Sequence, residues 1–296
     1  MSFTRWSGQD GWMHFCRDEV MKAALLQLTS DDDPAENLGL TCALLDKAAA
    51  SGAQFILTPE VTNCVSASRS RQAEVLFHEA DDRTLAALRA RAQRHGVWLM
   101  IGSLALKTSD VDGRFANRSF LIDPDGEIRA RYDKIHMFDV QVSDTESYRE
   151  SAGYRPGDVA VLAQTPFGMV GLTICYDLRF PALFRHLAMA GAEIITVPSA
   201  YSPVTGVAHW ETLLRARAIE TGAFILAPAQ TGTHKARDGR ARETHGHSLV
   251  VDPWGRILSD GGIGRGILGV DLDLGQVARA RARIPAMSNM AQHDGP

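Results

Sequence analysis

Short apolar runs punctuate this chain and alternate with alanine-rich stretches of helical period. AALLQL, QFILTPE, VWLMIGSLAL, RSFLIDP, VGLTICYD, EIITVPSA, AFILAPAQ, HSLVVDP and GILGVDLD are rich in aliphatic, β-branched and aromatic residues. Their length and bounding turn residues predict strands. Between several lie NLGLTCALLDKAAASG, RTLAALRARAQRHG and PALFRHLAMAG, whose apolar positions recur at helical spacing. Strands this apolar predict sheets buried on both faces and covered by helices, an α/β fold.

The pattern repeats. SGAQFILTPE matches AGAEIITVPSA, aligning Gly52 with Gly191. LRARAQRHGVWLMIGS matches LRARAIETGAFILAPA, aligning Gly96 with Gly222. FLIDPDGEI matches LVVDPWGRI, aligning Asp123-Pro124 with Asp252-Pro253. Three matches in one order predict two similar halves, although helix-Gly-strand junctions and Asp-Pro-x-Gly hairpins also recur through turn chemistry alone. Two equivalent sheets must each bury a face. Packed on one another with helices outside, they make a four-layer α-β-β-α sandwich with an internal pseudo-two-fold. The repeat sets Glu60, after Pro59, opposite Ser199, after Pro198. Both stand at the carboxyl ends of strands, where α/β sheets bind ligands. Cys175 ends its own strand, so all three are candidates for one rim.

Composition narrows the function classes. The 296 residues carry a formal net charge of −4, and the pI is about 6.2. That balance argues against nucleic acid or an anionic membrane as the main partner. The arginine runs RARAQR and ARARAR read as solvated helix faces. Four separated cysteines (Cys16, Cys42, Cys64 and Cys175) without a C-x-x-C suggest reduced thiols and a cytoplasmic setting. Residues 1 to 20 have no apolar h-region and are expected to be a flexible extension, or to precede a start at Met21. Residues 21 to 296 are expected to form one domain, and no run is long enough for a membrane span.

G-x-S-x-G, G-x-x-x-x-G-K-[ST] and H-E-x-x-H motifs are absent. His245 and His247 in THGH lack a nearby third ligand and read as a polar strand entry. GLTICYDLRFP is different. A strand ends on Cys175, and Pro181 suits the first turn of a new helix. Such a bend exposes a thiol and frees backbone N–H groups for an oxyanion. A thiol needs a base, since little of it is thiolate at neutral pH. In ILTPE an apolar strand runs into Glu60, which is either that base or an ordinary helix-starting acid. Lys134, among Ile135, Met137 and Phe138, either snorkels or points into a site.

Taken together, LTPE, YDKIHMFD and LTICYDLRFP resemble the Glu-Lys-Cys triad of the nitrilase, or carbon–nitrogen hydrolase, superfamily. The likeness runs from about Met21 to the C-terminus. It implies catalytic Glu60, Lys134 and Cys175, no metal or organic cofactor, and a homodimer or higher homo-oligomer. It also implies a second supporting glutamate, placed at Glu150 in SYRESAGYRPG. VTGVAHWETLLRARAIETGAFILAPAQTGTH looks like the Nit branch of deaminated glutathione amidases and, more distantly, ω-amidases. The implied reaction cleaves a small carboxylated amide through a thioester, yielding 2-oxoglutarate and Cys-Gly from deaminated glutathione. An ω-amidase, an N-carbamoyl amino acid hydrolase and a nitrilase share the same chemistry. Tyr176, Ser199, Ala200 and Tyr201 are expected along the pocket. Arg179 pairs either with a substrate carboxylate or with an acid such as Asp177, itself expected to be structural. His209-Trp210-Glu211 is expected to open a helix at the pocket edge.

Overall fold

The computed structural model describes residues 20–143 and 146–289. The N-terminal stretch before Val20, expected to be an extension, lies outside the described residues.

The first half runs β1 (Val20–Gln27), α1 (Pro34–Ala50), β2 (Phe55–Leu57), α2 (Arg69–Val75), α3 (Arg83–His95), β3 (Trp98–Leu106), β4 (Ala116–Ile122) and β5 (Ile128–Asp133). A small hairpin follows, β6 (Asp139–Ser143) and β7 (Glu146–Arg149). The second half runs β8 (Val161–Thr165), β9 (Gly168–Leu172), α4 (Pro181–Met189), β10 (Ile194–Thr196), α5 (Pro203–Thr221) and β11 (Phe224–Ala227). It continues with β12 (Thr231–His234), β13 (Arg242–His245), β14 (Leu249–Val251) and β15 (Ile257–Asp260). β16 (Gly266–Asp273) and α6 (Gly275–Arg283) close the described chain.

The two six-stranded sheets have orders β16-β1-β2-β3-β4-β5 and β8-β9-β10-β11-β14-β15. They match strand for strand, so the expected pseudo-two-fold is present. Each half repeats strand, helix, strand, helix, strand, then an antiparallel hairpin. The repeat is built on the same turn chemistry. Gly96 and Gly222 cap α3 and α5 in the left-handed conformation, which glycine adopts without a Cβ penalty. Asp123 Oδ1 accepts from the N–H groups of Asp125 and Glu127, and Asp252 Oδ1 accepts from those of Trp254 and Arg256.

Alternation within one strand serves two cores. Ala23 and Leu25 of β1, Phe55 and Leu57 of β2 and Met100 of β3 face the second sheet. Ala24, Leu26, Ile56, Leu99 and Ile101 face α1 and α3. A strand buried on both faces needs apolar residues at every position, which is the run the sequence displays. Leu85, Leu88 and Ala92 of α3 turn inward. Arg281 of α6 departs from the expected solvated face. It donates through Nη2 to Ala192 O and through Nε to Thr221 O, beneath the C-terminal ends of α4 and α5.

Both β2 and β10 are three residues long, and each feeds a Pro-containing turn at the same end of the sandwich. Gly102 lets the first turn close. A Cβ there would lie 2.0 Å from Thr58 O, 2.5 Å from Pro59 O and 2.5 Å from Pro198 Cβ. Thr58 Oγ1 accepts from Gly102 N–H at 3.0 Å, and Ser103 Oγ accepts from Val61 N–H at 2.7 Å. The glutamate-bearing turn is thereby clamped to β3.

Candidate active site

Glu60 follows β2 and is 4% exposed. Lys134 follows β5 and is 2% exposed. The Lys134 ammonium donates to Glu60 Oε1 at 2.8 Å and to both carboxylate oxygens of Glu150 at 2.9 Å. One buried cation thus lies between two carboxylates, which is how buried charge is tolerated. Glu60 Oε2 accepts from Ala200 N–H at 2.9 Å, beyond the mouth of β10. Glu150 Oε2 accepts from Phe138 N–H at 2.7 Å. The segments after β2, β5, β7 and β10 therefore each hold part of one array.

Cys175 opens a single turn of 3-10 helix after β9. Its φ is +49°, a conformation that costs a non-glycine residue of order 1–3 kcal/mol and clusters at functional sites. The Cys175 N–H donates to Pro198 O at 3.0 Å. Val61, next to Glu60, also has positive φ at +46°. The two strained residues flank the same cavity.

Charge coupling sets the resting protonation. Burial opposes ionisation of Glu60, but the Lys134 charge and its hydrogen bond outweigh it and hold the carboxyl below its ordinary range. The Cys175 thiol also donates to that carboxylate. Burial would likewise lower Lys134, yet Glu150 and Glu60 hold its ammonium well above the ordinary lysine value. Burial, then the Glu60 charge, push the Cys175 thiol up against the pull of Lys134. The arrangement is a neutral thiol beside an ionised carboxylate, with an ammonium at hand. It can transfer a proton as the sulfur attacks and can stabilise an oxyanion.

The cavity measures about 920 Å³. Glu60, Lys134, Glu150, Cys175, Tyr176, Ala200 and Tyr201 all line it, together with Cys64, Asn117, Thr205 and Arg242. Two residues expected along the pocket do not line it. Ser199 is fully buried, and its hydroxyl donates back to Val197 O at 3.0 Å. The repeat brings its backbone to the rim, while the chain direction turns its side chain inward. Arg179 holds its guanidinium over the Tyr176 and Tyr201 rings, at 5.8 and 5.6 Å, with Nη2 3.2 Å from His209 Nδ1. Asp177 is structural, as expected: it accepts from Tyr132 Oη, His136 N–H and Ile174 N–H. His209-Trp210-Glu211 does not open a helix. α5 starts at Pro203, and Trp210 is buried with Nε1 donating to His247 O at 2.8 Å.

Asn117 of β4 escaped sequence reasoning. Its Nδ2 donates to Glu60 Oε1 at 2.9 Å and approaches Glu150 Oε1 at 3.4 Å, and its backbone carbonyl accepts from Lys134 N–H at 3.0 Å. A polar residue inside the apolar strand ANRSFLI was the available signal.

Comparison with known proteins places this architecture. A deaminated glutathione amidase of Yersinia enterocolitica is 41% identical over 267 residues, covering 90% of this chain and 91% of that protein. The crystal structure of the Caenorhabditis elegans NitFhit protein superposes with a TM-score of 0.84 at 33% identity, covering 92% of this chain and 65% of that longer one. A variant of the amidase from Nesterenkonia sp. AN1, with the acetamide moiety of fluoroacetamide added covalently at its active-site cysteine, superposes with a TM-score of 0.71. Identity there is 28%, covering 90% of this chain and 95% of that one. The carbon-nitrogen hydrolase family profile matches residues 22–282. On the matched length, the two equivalent sheets and these likenesses, the chain belongs to the carbon–nitrogen hydrolase family.

Proposed function

We propose that this chain cleaves deaminated glutathione to 2-oxoglutarate and Cys-Gly, with Glu60, Lys134 and Cys175 as the catalytic residues. The observation that carries the reading is the buried Glu60–Lys134–Glu150 array beside a strained cysteine. The name of the Yersinia relative supports the substrate. The covalent adduct on the Nesterenkonia cysteine supports a covalent route.

In this mechanism Glu60 accepts the Cys175 proton as sulfur attacks the amide carbonyl. Lys134 and the Tyr176 N–H stabilise the oxyanion. Glu60 then returns the proton to the departing nitrogen of Cys-Gly, leaving a thioester on Cys175. Water attacks the thioester with Glu60 taking its proton, and 2-oxoglutarate and the thiol are released. Glu150 touches no reacting atom and positions the Lys134 ammonium. A reducing cytoplasm suits this chemistry, because Cys175 must enter the cycle as a thiol. Exposed Met189, Val204, Val207 and Ile219 on α4 and α5 support self-association through the outer helices.

Mass spectrometry of products tests the substrate. Release of Cys-Gly and 2-oxoglutarate from deaminated glutathione is expected to exceed turnover of 2-oxoglutaramate. The reverse preference, with ammonia as product, overturns the assignment in favour of an ω-amidase. Glu60→Gln is expected to cost at least about 10²-fold in kcat, the usual scale for a lost general base, with an unchanged circular dichroism spectrum. Near-normal turnover by that variant removes Glu60 from the base role.

A further inference from the structure

Unpartnered polar atoms gather on one wall of the cavity. Among the described residues, Asn117 Oδ1, Tyr201 Oη, Thr205 Oγ1 and Arg242 Nε are buried without a hydrogen-bond partner and line the cavity, and the last three can donate. Buried polar groups are nearly always paired, so orphans concentrated in one place ask for a ligand. We propose that Tyr201, Thr205 and Arg242 form a subsite that takes a carboxylate of the substrate.

The local structure supports the charge sign. Tyr201 and Thr205 flank Ser202, the residue before α5, so the positive end of a 19-residue helix dipole meets the wall. Tyr201 is 5% exposed and its ring packs on Trp210 at 5.0 Å, which fixes the hydroxyl. Arg242 comes from β13, which His245 N–H ties to Tyr201 O at 2.9 Å. The Arg242 Nη2 donates to Ala200 O at 2.8 Å, and the guanidinium lies 5.8 Å from the Tyr148 ring centroid. No carboxylate among the described residues pairs with it. Lys134 is shared by Glu60 and Glu150, and Arg242 also lowers the Glu60 carboxyl through its charge. The other acid on the lining, Glu243, is exposed and accepts from Thr233 Oγ1 at 3.3 Å. The Arg242 charge acts on Glu60 without pairing directly with it, and two hydroxyls, a guanidinium edge and a helix N-terminus offer converging donors that suit the two oxygens of a carboxylate. Ala200 accepts from Arg242 and donates to Glu60, so the bound carboxylate sits one residue away from the base.

This subsite rests on the reading that the substrate is a carboxylated amide. Deaminated glutathione carries a carboxylate on each side of the scissile bond, and the experiment separates them. Cys175 is alkylated with iodoacetamide while 2-oxoglutarate (acyl side) or S-methyl-Cys-Gly (leaving side) protects it. Each protection is referred to that of the corresponding carboxamide, which cancels changes in thiol reactivity. The wild type is expected to be protected by at least one carboxylate at lower concentration than by its carboxamide. Arg242→Gln is expected to raise the half-protecting concentration about tenfold or more, the scale of a lost charge-assisted hydrogen bond. Tyr201→Phe and Thr205→Val, each removing one hydroxyl, are expected to raise it severalfold. An effect confined to 2-oxoglutarate assigns the acyl-side carboxylate, and one confined to S-methyl-Cys-Gly assigns the leaving side. A wild type that does not distinguish carboxylate from carboxamide overturns the subsite, as do variants that all protect like the wild type. If the protection pattern holds but deaminated glutathione is not cleaved, the substrate assignment fails and the subsite stands.

Discussion

Asn117 holds Glu60 and the lysine backbone at once, so its loss acts on the base without touching the thiol. Asn117→Ala withdraws a donor from a buried carboxylate. A lost hydrogen bond to a charged group favours the protonated form, so Glu60 is expected to titrate higher than in the wild type. The acid limb of kcat/KM is expected to move up with it, because the proposed mechanism needs Glu60 ionised. Asn117→Ser, keeping a donor, is expected to restore part of the shift. An acid limb that stays in place while kcat falls would make Asn117 merely structural. Strand ends marked the acid, ammonium and thiol positions as candidates, and only their resemblance, taken together, to a Glu-Lys-Cys triad singled them out. Asn117 was marked only as a polar residue inside an apolar strand, and that mark does not say what the side chain faces until the fold closes. Arg242 was hidden for the same reason, in a polar segment of no clear period.

The long β-strands and covering helices were legible because double burial demands unbroken apolar runs. The hairpins β6–β7 and β12–β13 were not. DVQVS, ESYR, TGTH and RETH are short and polar, and tertiary contacts hold them in place. In β12 that contact is His234, 1% exposed, which sits 2.7 Å from Ser30 O through Nδ1 and 2.7 Å from Thr244 Oγ1 through Nε2. These partners suit the neutral ring, with Nδ1 donating to the carbonyl. Burial pushes the imidazole down to about 4. The unfolded chain therefore takes a proton near the ordinary pKa of about 6.5, while the folded chain refuses it until about 4. Stability is expected to fall as pH drops from about 6.5 and to level off near 4 on this account, by a few kcal/mol at most. Urea midpoints measured for wild type and His234→Gln check it. The variant should lose this part of the acid dependence, and parallel pH curves would rule the histidine out as the cause.

At the scale of the whole molecule, the pseudo-two-fold places the chemistry at the seam of the sheets rather than within either half. Glu60 belongs to the first half, Cys175 and Ala200 to the second, and Lys134 with Glu150 to the connection between them. The array proposed to do the chemistry is thus also a tie between halves, which makes Lys134→Ala a test of folding as well as activity. Removing the ammonium leaves buried Glu60 facing the partly buried Glu150, a loss of up to about 3–5 kcal/mol on the scale of broken buried pairs. In that variant burial is left unopposed by the ammonium, and the folded-state Glu60 carboxyl is raised above its unfolded value. A group shifted this way adds stability below its unfolded pKa and loses it as pH rises through the folded one. The thermal midpoint of Lys134→Ala is therefore expected to lie furthest below wild type near neutral pH. The gap should narrow as pH falls toward about 4, the ordinary glutamate value. The double variant Lys134→Met, Glu150→Gln removes one charge of each sign, and is expected to recover part of the midpoint while staying inactive. A gap between Lys134→Ala and wild type that is constant with pH would mean the carboxylates never met unscreened, and that the halves are held together by packing alone.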